Sequence, residues 1–184
     1  MVSAEDVINI YQRLRAEGIL VWLTGGWGID ALLGQQTRPH KDLDVIMLVD
    51  DVARMRELLG LEGYRLKELW SENRWVVDAR GIETATAFVL QDSAGREIDA
   101  HALRLDERGN GFPAWEAEGR VITSGDLSGV GVVAGFAVPC LTPETQMLRH
   151  TGYKLPEEQL RDLEHLHERF GVEYPEEICR RSKR

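Results

Sequence analysis

The 184 residues, 43% of them hydrophobic, suffice for one domain, or a domain with a small appendage, and are too few for two of ordinary size. Lys and Arg number 22 against 31 Asp and Glu, a formal charge of −9, which opposes non-specific attraction to duplex DNA and mildly favours cationic small partners. Cys140 and Cys179 lie far apart with no CxxC spacing, so no zinc site or disulfide framework is indicated and a reducing cytoplasm is expected. The acidic opening MVSAEDV, and no apolar run near the roughly 18–20 residues of a membrane span, argue against export and membrane insertion.

In chain order, Ser3 with Asp6 makes a capping-box start to a helix whose apolar positions Val7, Ile10, Tyr11 and Leu14 follow helical spacing, with Gly18 as its stop. Residues 19–23 are nearly all apolar, as expected of a strand covered on both faces, and Gly25-Gly26 turn it into a short helix ending at Gly34. Residues 43–49 read as a second buried strand, 50–59 as a helix closed by Gly60, and 64–70 as a weaker strand. Segments 74–79, 84–90 and 97–103 read as three antiparallel strands, the last pair joined by a turn at 92–95. Residues 108–113 are expected as loop and 130–138 as strand-like despite three glycines. Thr142-Pro143 and then Pro156 open two C-terminal helices, the second with Leu160, Leu163, Leu166 and Phe170 at helical spacing. No linker or repeat divides the chain; residues 1–140 are expected as one α/β domain and 141–184 as a helical segment packed on it.

The sharpest feature is His40-Lys41-Asp42-Leu43-Asp44-Val45. Residues two apart on a strand share a face with Cα atoms roughly 6.5–7 Å apart, so Asp42 and Asp44 converge while Leu43 enters the core. Such a pair calls for a counter-charge, and a hard divalent cation suits carboxylate oxygens. Glu97, Asp99 and His101 repeat the arrangement on a later strand, so that Asp99 could complete a three-carboxylate site; the alternative is that all of these are strand-edge surface charges, Asp99 pairing with Arg96 or Arg104. Gly25-Gly26 at a helix start offers free backbone N–H groups suited to phosphate, or is simply a tight turn needing positive φ. Arg38 and Lys41 could neutralise a polyphosphate or be solvated loop charges. His165 and His167, two apart on a helix, point in different directions and are not expected to bind metal. Trp27, Trp70, Trp75 and Trp115 could stack on a ring but are the kind of residue that packs, and residues 180–184 read as a solvated basic tail.

Trp22-Leu23-Thr24-Gly25-Gly26-Trp27-Gly28-Ile29-Asp30 followed by His40-Lys41-Asp42-Leu43-Asp44 resembles the antibiotic nucleotidyltransferases of the polymerase-β-like superfamily, of the lincosamide nucleotidyltransferase and aminoglycoside 2''-adenylyltransferase type. Glu97-Ile98-Asp99-Ala100-His101, Pro139-Cys140-Leu141-Thr142, Gln146 and His150-Thr151-Gly152-Tyr153 are similar to further stretches of the lincosamide group. The resemblance implies a mixed α/β (α+β) fold, a mixed sheet flanked by helices with C-terminal helices, and AMP transfer from ATP or another nucleoside triphosphate to a hydroxyl of a lincosamide or aminoglycoside, releasing pyrophosphate. It further implies Asp42, Asp44 and Asp99 as catalytic carboxylates holding magnesium, two ions about 3.5–4 Å apart, with Gly25, Gly26, Arg38 and Lys41 on the triphosphate. His101, Glu97 and Tyr153 are second-rank substrate contacts, and a homodimer sharing its acceptor cleft is consistent with it. Where the wider superfamily has Gly-Ser, Trp27 follows Gly26, leaving phosphate binding there to backbone groups. The rival expectations are a toxin-type nucleotidyltransferase acting on a protein or tRNA, disfavoured by charge and by the GGWG wording, and an inactive nucleotide-binding regulator, disfavoured by three intact aspartates.

Overall fold

The computed structural model describes residues 1–114, 121–151 and 154–175. In chain order these form α1 (Ala4–Ala16), β1 (Val21–Thr24), α2 (Gly25–Leu33), β2 (Asp42–Leu48), α3 (Val52–Leu61), β3 (Arg65–Leu69), β4 (Trp75–Val77), β5 (Glu83–Ala85), β6 (Ala87–Gln91), β7 (Glu97–Leu105), β8 (Gly111–Pro113), β9 (Gly129–Val133), β10 (Phe136–Cys140), α4 (Pro143–Arg149) and α5 (Glu157–Phe170). Short 3₁₀ turns at Val49–Asp51 and Asp126–Ser128 precede α3 and β9.

A mixed sheet runs β3-β6-β7-β2-β1-β10-β9, with β8 added to the far end of β7 and β4-β5 forming a separate ladder. The central pair, β2 and β7, is parallel, whereas β1 runs antiparallel to β2. One face carries Leu43, Val45, Met47, Ile98, Ala100 and Ala102 into the main core, covered by α1 and α3. The opposite face holds the smaller cluster of Trp22, Ile46, Leu103, Leu127 and Leu141, and its polar residues line the cleft described below. Helix α2 joins the halves of the molecule: Trp27 and Ala31 belong to the main core, while Ile29 packs with Met147, Leu163 and Leu166 of α4 and α5.

Local chemistry explains most boundaries. The Ser3 capping box forms, with the Ser3 hydroxyl accepting from the Asp6 amide and the Asp6 carboxylate accepting from that of Ser3, and Gly34 closes α2 in the left-handed region. Four expectations need correction. Helix α3 does not stop at Gly60; it runs to Leu61 and ends in a Schellman turn, Tyr64 N donating to Leu59 O and Gly63 N to Gly60 O, so the left-handed glycine is Gly63. The 84–90 run breaks at Thr86, whose N–H goes to Asn73 Oδ1, splitting β5 from β6. Residues 111–113 form β8 because β7 outlasts β6 and leaves an edge to be paired. Segment 130–138 is a hairpin, β9-β10, turning at Ala134 and Gly135, both with positive φ. On α5, Leu163 and Leu166 are buried while Leu160 and Phe170 stay exposed.

Candidate active site

The chain's register brings the expected carboxylates to one place. Across the parallel pair, Asp42 faces Glu97 and Asp44 faces Asp99, while Thr24 at the end of β1 faces Asp44 on the other side. Directly paired residues share a face and neighbouring strands lie about 4.8 Å apart, so Asp42, Asp44, Asp99 and Thr24 form a polar row at the mouth of the sheet. Burial, with Asp42 and Asp99 close by, pushes the Asp44 carboxyl well above its ordinary value; burial pushes Asp42 up too, against the pull of Lys41 and with Asp99 and Glu97 adding to the rise. The excess of negative charge and the hard oxygen donors fit a divalent cation. As the side chains stand, however, no three His, Cys, Asp or Glu groups among the described residues converge closely enough to hold one ion, and Asp99 is engaged elsewhere: Trp70 Nε1 donates to its Oδ1 at 2.8 Å and His101 Nε2 lies 3.3 Å from the same oxygen.

The glycine turn closes over this row. Gly25 has φ 58, and a Cβ there would stand 2.1 Å from Asp44 Oδ2; a Cβ on Gly26 would meet His40 Nδ1 at 2.3 Å, and one on Gly28 would meet Gln146 Nε2 at 2.2 Å. All three positions therefore need glycine for close approach, and Gly25 also for backbone conformation. Thr24 is the N-cap of α2, yet its side chain makes no cap bond; its hydroxyl donates to Gln146 Oε1 at 3.1 Å. The first amides of α2 are thus uncapped by a side chain at the cleft, the arrangement that accepts an anion. Gln146, fully buried, also donates to Leu23 O at 3.3 Å and so fastens α4 to the end of β1.

A cleft of about 380 Å³ is lined by Thr24, Gly25, Gly26, Asp42, Asp44 and His101 together with Arg38, Arg149, His150 and Glu158; Asp99 lies beside it, between Asp44 and His101, and is not among the residues that line it. His40 forms its floor, its Nε2 lying 2.5 Å from Asp30 Oδ2 with both residues 2% exposed, and Trp27 packs against its ring.

Other expected residues are spent differently. Arg38 lines the cleft, but its Nε and NH2 donate to both oxygens of buried Asp162 on α5 at 2.7–3.1 Å, so its charge is already matched. Lys41 pairs with Glu97 Oε2 at 3.1 Å, and Glu97 Oε1 accepts from Lys67 at 2.6 Å and Gln91 at 2.8 Å, so Glu97 ties β7 to Lys41 and Lys67. Arg96 bonds Asp92 and Asp6 instead of Asp99. Trp27 is a packing residue, and Trp75 is exposed on β4. Tyr153, Trp115, Cys179 and the 180–184 tail lie outside the described residues. The Asp162 and Trp70 contacts were missed by sequence reasoning. The signal for Asp162 was its place four residues before Leu166, a carboxylate on the buried stripe of an amphipathic helix.

A family model for aminoglycoside-2''-adenylyltransferases matches residues 6–166. The chain belongs to the aminoglycoside-2''-adenylyltransferase family. This family member is a nucleotidyltransferase. It is 24% identical over 160 residues to a lincosamide resistance protein of Staphylococcus haemolyticus, covering 87% of this chain and 89% of that one. A shorter stretch of 70 residues is 31% identical to a 2''-aminoglycoside nucleotidyltransferase of Klebsiella pneumoniae, covering 36% and 40% of the two chains. Among solved structures, the lincosamide antibiotic adenylyltransferase LnuA with lincomycin bound superposes with a TM-score of 0.73 at 25% identity, over 90% of this chain and 96% of that one. ANT(2'')-Ia in complex with adenylyl-2''-tobramycin shares the fold, with a TM-score of 0.67 at 17% identity over 90% and 87%. No helix among the described residues is long and apolar enough to cross a membrane.

Proposed function

We propose that this family member transfers AMP from ATP to a hydroxyl group of a small antibiotic, a lincosamide in the first instance. The observation that carries the reading is the register of Asp44 on β2 against Asp99 on β7 beneath the Gly25-Gly26 turn. The triphosphate lies along the uncapped start of α2, where backbone N–H groups of the glycine turn donate to phosphate oxygens. The acceptor comes from the Asp99 side. Its hydroxyl oxygen attacks the α-phosphorus in line; the new P–O bond forms as the bond to the bridging oxygen of the β-phosphate breaks, and pyrophosphate leaves with that electron pair. Asp99 receives the hydroxyl proton, and His101, 3.3 Å from it, stands beside the acceptor. Asp42 and Asp44 would hold magnesium, joined by Asp99 if the three carboxylates drew closer than they now stand; the ion would withdraw charge from the phosphates and the leaving oxygen. Asp42 and Asp44 themselves line the cleft with carboxyl oxygens, and the Thr24–Gln146 bond keeps the Thr24 hydroxyl off the α2 amides that would meet the anion.

The lincosamide preference is supported by the relative that matches nearly full length and by the likeness to LnuA. An aminoglycoside is the second reading, supported by the family description and by the −9 charge, which favours a polycation. Incubation with ATP, magnesium and a panel of both drug classes, followed by mass spectrometry, tests the proposal: the expected product is one antibiotic heavier by one AMP. Mass gained only by the protein itself or by added tRNA overturns it in favour of a toxin-type transferase, and ATP binding without any product overturns it in favour of a regulator.

A further inference from the structure

Trp70 stands one residue beyond β3, and its place is set by backbone, not by chance contact. Its N–H donates to Ala87 O at 3.1 Å, extending by one step the ladder in which Leu69 faces Phe88. Ala87 in turn faces His101. Trp70, Ala87 and His101 therefore form one row across three strands, on the same face as Asp99. Ala87 presents only a methyl group in the middle of that row, so an indole can pass over it and reach β7, where Nε1 meets Asp99 Oδ1 at 2.8 Å.

The turn after Trp70 is bolted down. Asn73 N donates to Trp70 O at 2.9 Å, Asn73 Oδ1 accepts from both Thr86 N at 2.8 Å and Ala87 N at 3.1 Å, and Arg74 N donates to Thr86 Oγ1 at 2.9 Å. With the backbone held on both sides and two side-chain torsions to fix, the indole N–H has little freedom. Trp70 itself is 36% exposed while Asp99 is 9% exposed. An indole with that much surface open could satisfy its N–H with water; it is turned instead onto a nearly buried carboxylate, a charge-assisted bond of the stronger kind. His101 Nε2 approaches the same Oδ1, so among the described residues the side-chain contacts of Asp99 fall on one oxygen, and Oδ2 is the one turned to the reacting groups.

We propose that Trp70 is a positioning residue for the transfer: its indole N–H pins Oδ1 of Asp99 and so presents Oδ2 to the acceptor hydroxyl. This rests on the assignment of Asp99 as the proton acceptor. Trp70 acts through Asp99 and touches no phosphate, so its loss lowers turnover and leaves nucleotide binding alone. Misplacing a reacting group by a fraction of an ångström to one ångström costs up to about 100-fold in rate.

Trp70→Phe keeps a packing ring and removes the N–H. With lincomycin or tobramycin, whichever is adenylated, it is expected to lower kcat about 10- to 100-fold with KM for ATP within about two-fold and the melting temperature within about 2 °C of the parent. An unchanged or increased kcat, or a fall matched by an equal rise in KM for ATP, overturns the inference. Asp99→Asn separates the two claims: if it is fully active the functional reading fails, whereas if it is inactive and Trp70→Phe is not impaired, only the role of Trp70 fails. A second readout needs no turnover. In a ¹⁵N-indole NMR spectrum of the whole protein, the Trp70 indole resonance, assigned through its own backbone connectivities in the parent, is expected to shift on Asp99→Asn; a resonance that does not move overturns the inference even where Trp70→Phe does not fold.

Discussion

Arg38 and Asp162 are 124 residues apart in the chain and meet in a two-pronged ion pair, Nε and NH2 of the guanidinium donating to both carboxylate oxygens. The contact ties α5 to the loop that leads into β2, and through it the C-terminal helices hold one wall of the cleft.

The partners are unequally placed: the Asp162 side chain is 2% exposed and that of Arg38 is 23% exposed. Arg38→Met strands a buried carboxylate and is expected to cost about 3 kcal/mol. Asp162→Asn leaves an arginine that turns to water and is expected to cost less. Urea denaturation of both variants and the double variant checks this, the double variant being more stable than Arg38→Met alone.

Asp44 lies among like charges, with its carboxyl raised well above the ordinary range by burial and by Asp42 and Asp99. A raised carboxyl disfavours the folded state increasingly above the ordinary carboxylate pKa, so Asp44→Asn removes a penalty present at neutral pH. Without divalent cation, its melting temperature at pH 7 is expected to be a few degrees higher than the parent's (about 2–4 °C per kcal/mol), while adenylylation falls by at least about 100-fold. Differential scanning calorimetry beside the mass-spectrometric assay reads both.

Gly25→Ala places a methyl group 2.1 Å from Asp44 Oδ2 on a backbone with φ 58. The left-handed conformation alone costs roughly 1–2 kcal/mol with a Cβ, and the carboxylate must move aside. Activity is expected to fall further than in Gly34→Ala, which has a similar φ of 72 and open space around it, although the two should lose similar backbone stability; comparing turnover with melting temperature separates strain from displacement of Asp44.

Burial alone would raise the Asp92 carboxyl, but the Arg96 amide, the Arg96 guanidinium and the Ala94 amide hold it below its usual value. Asp6, bonded by Ser3 and the same guanidinium, is likewise lowered. A depressed carboxyl contributes stability that is complete above its unfolded pKa of about 3.9 and is lost as pH falls through the folded value. Arg96→Met is therefore expected to lose about 1–2 kcal/mol at pH 7, and its deficit against the parent should shrink below about pH 4. Urea titrations across that range test the sign.

Much of the site was legible because period and spacing act locally. Asp42 and Asp44 alternate with Leu43 and Val45 on a strand that must bury one face, so their common orientation follows from the pleat. The same holds for Asp99 between Ile98 and Ala100, and the Ser3–Asp6 box and the 92–95 turn are set by residues within reach of one another. Where a local signal competed with a packing demand, the packing won: α3 runs through Gly60 because Leu59 is fully buried and the Schellman turn at Gly63 satisfies its carbonyl.

By itself the sequence determined that an acidic pair and a later aspartate stand on strands, that a glycine turn opens a helix, and that these belong to a nucleotidyltransferase. Only the tertiary structure decided what each charge faces: Arg38 on Asp162, Lys41 and Lys67 on Glu97, and Trp70 on Asp99. Side-chain alternation is a property of a few consecutive residues, whereas which strands become neighbours, and which cation reaches which carboxylate across them, is settled by the packing of the whole sheet and its helices.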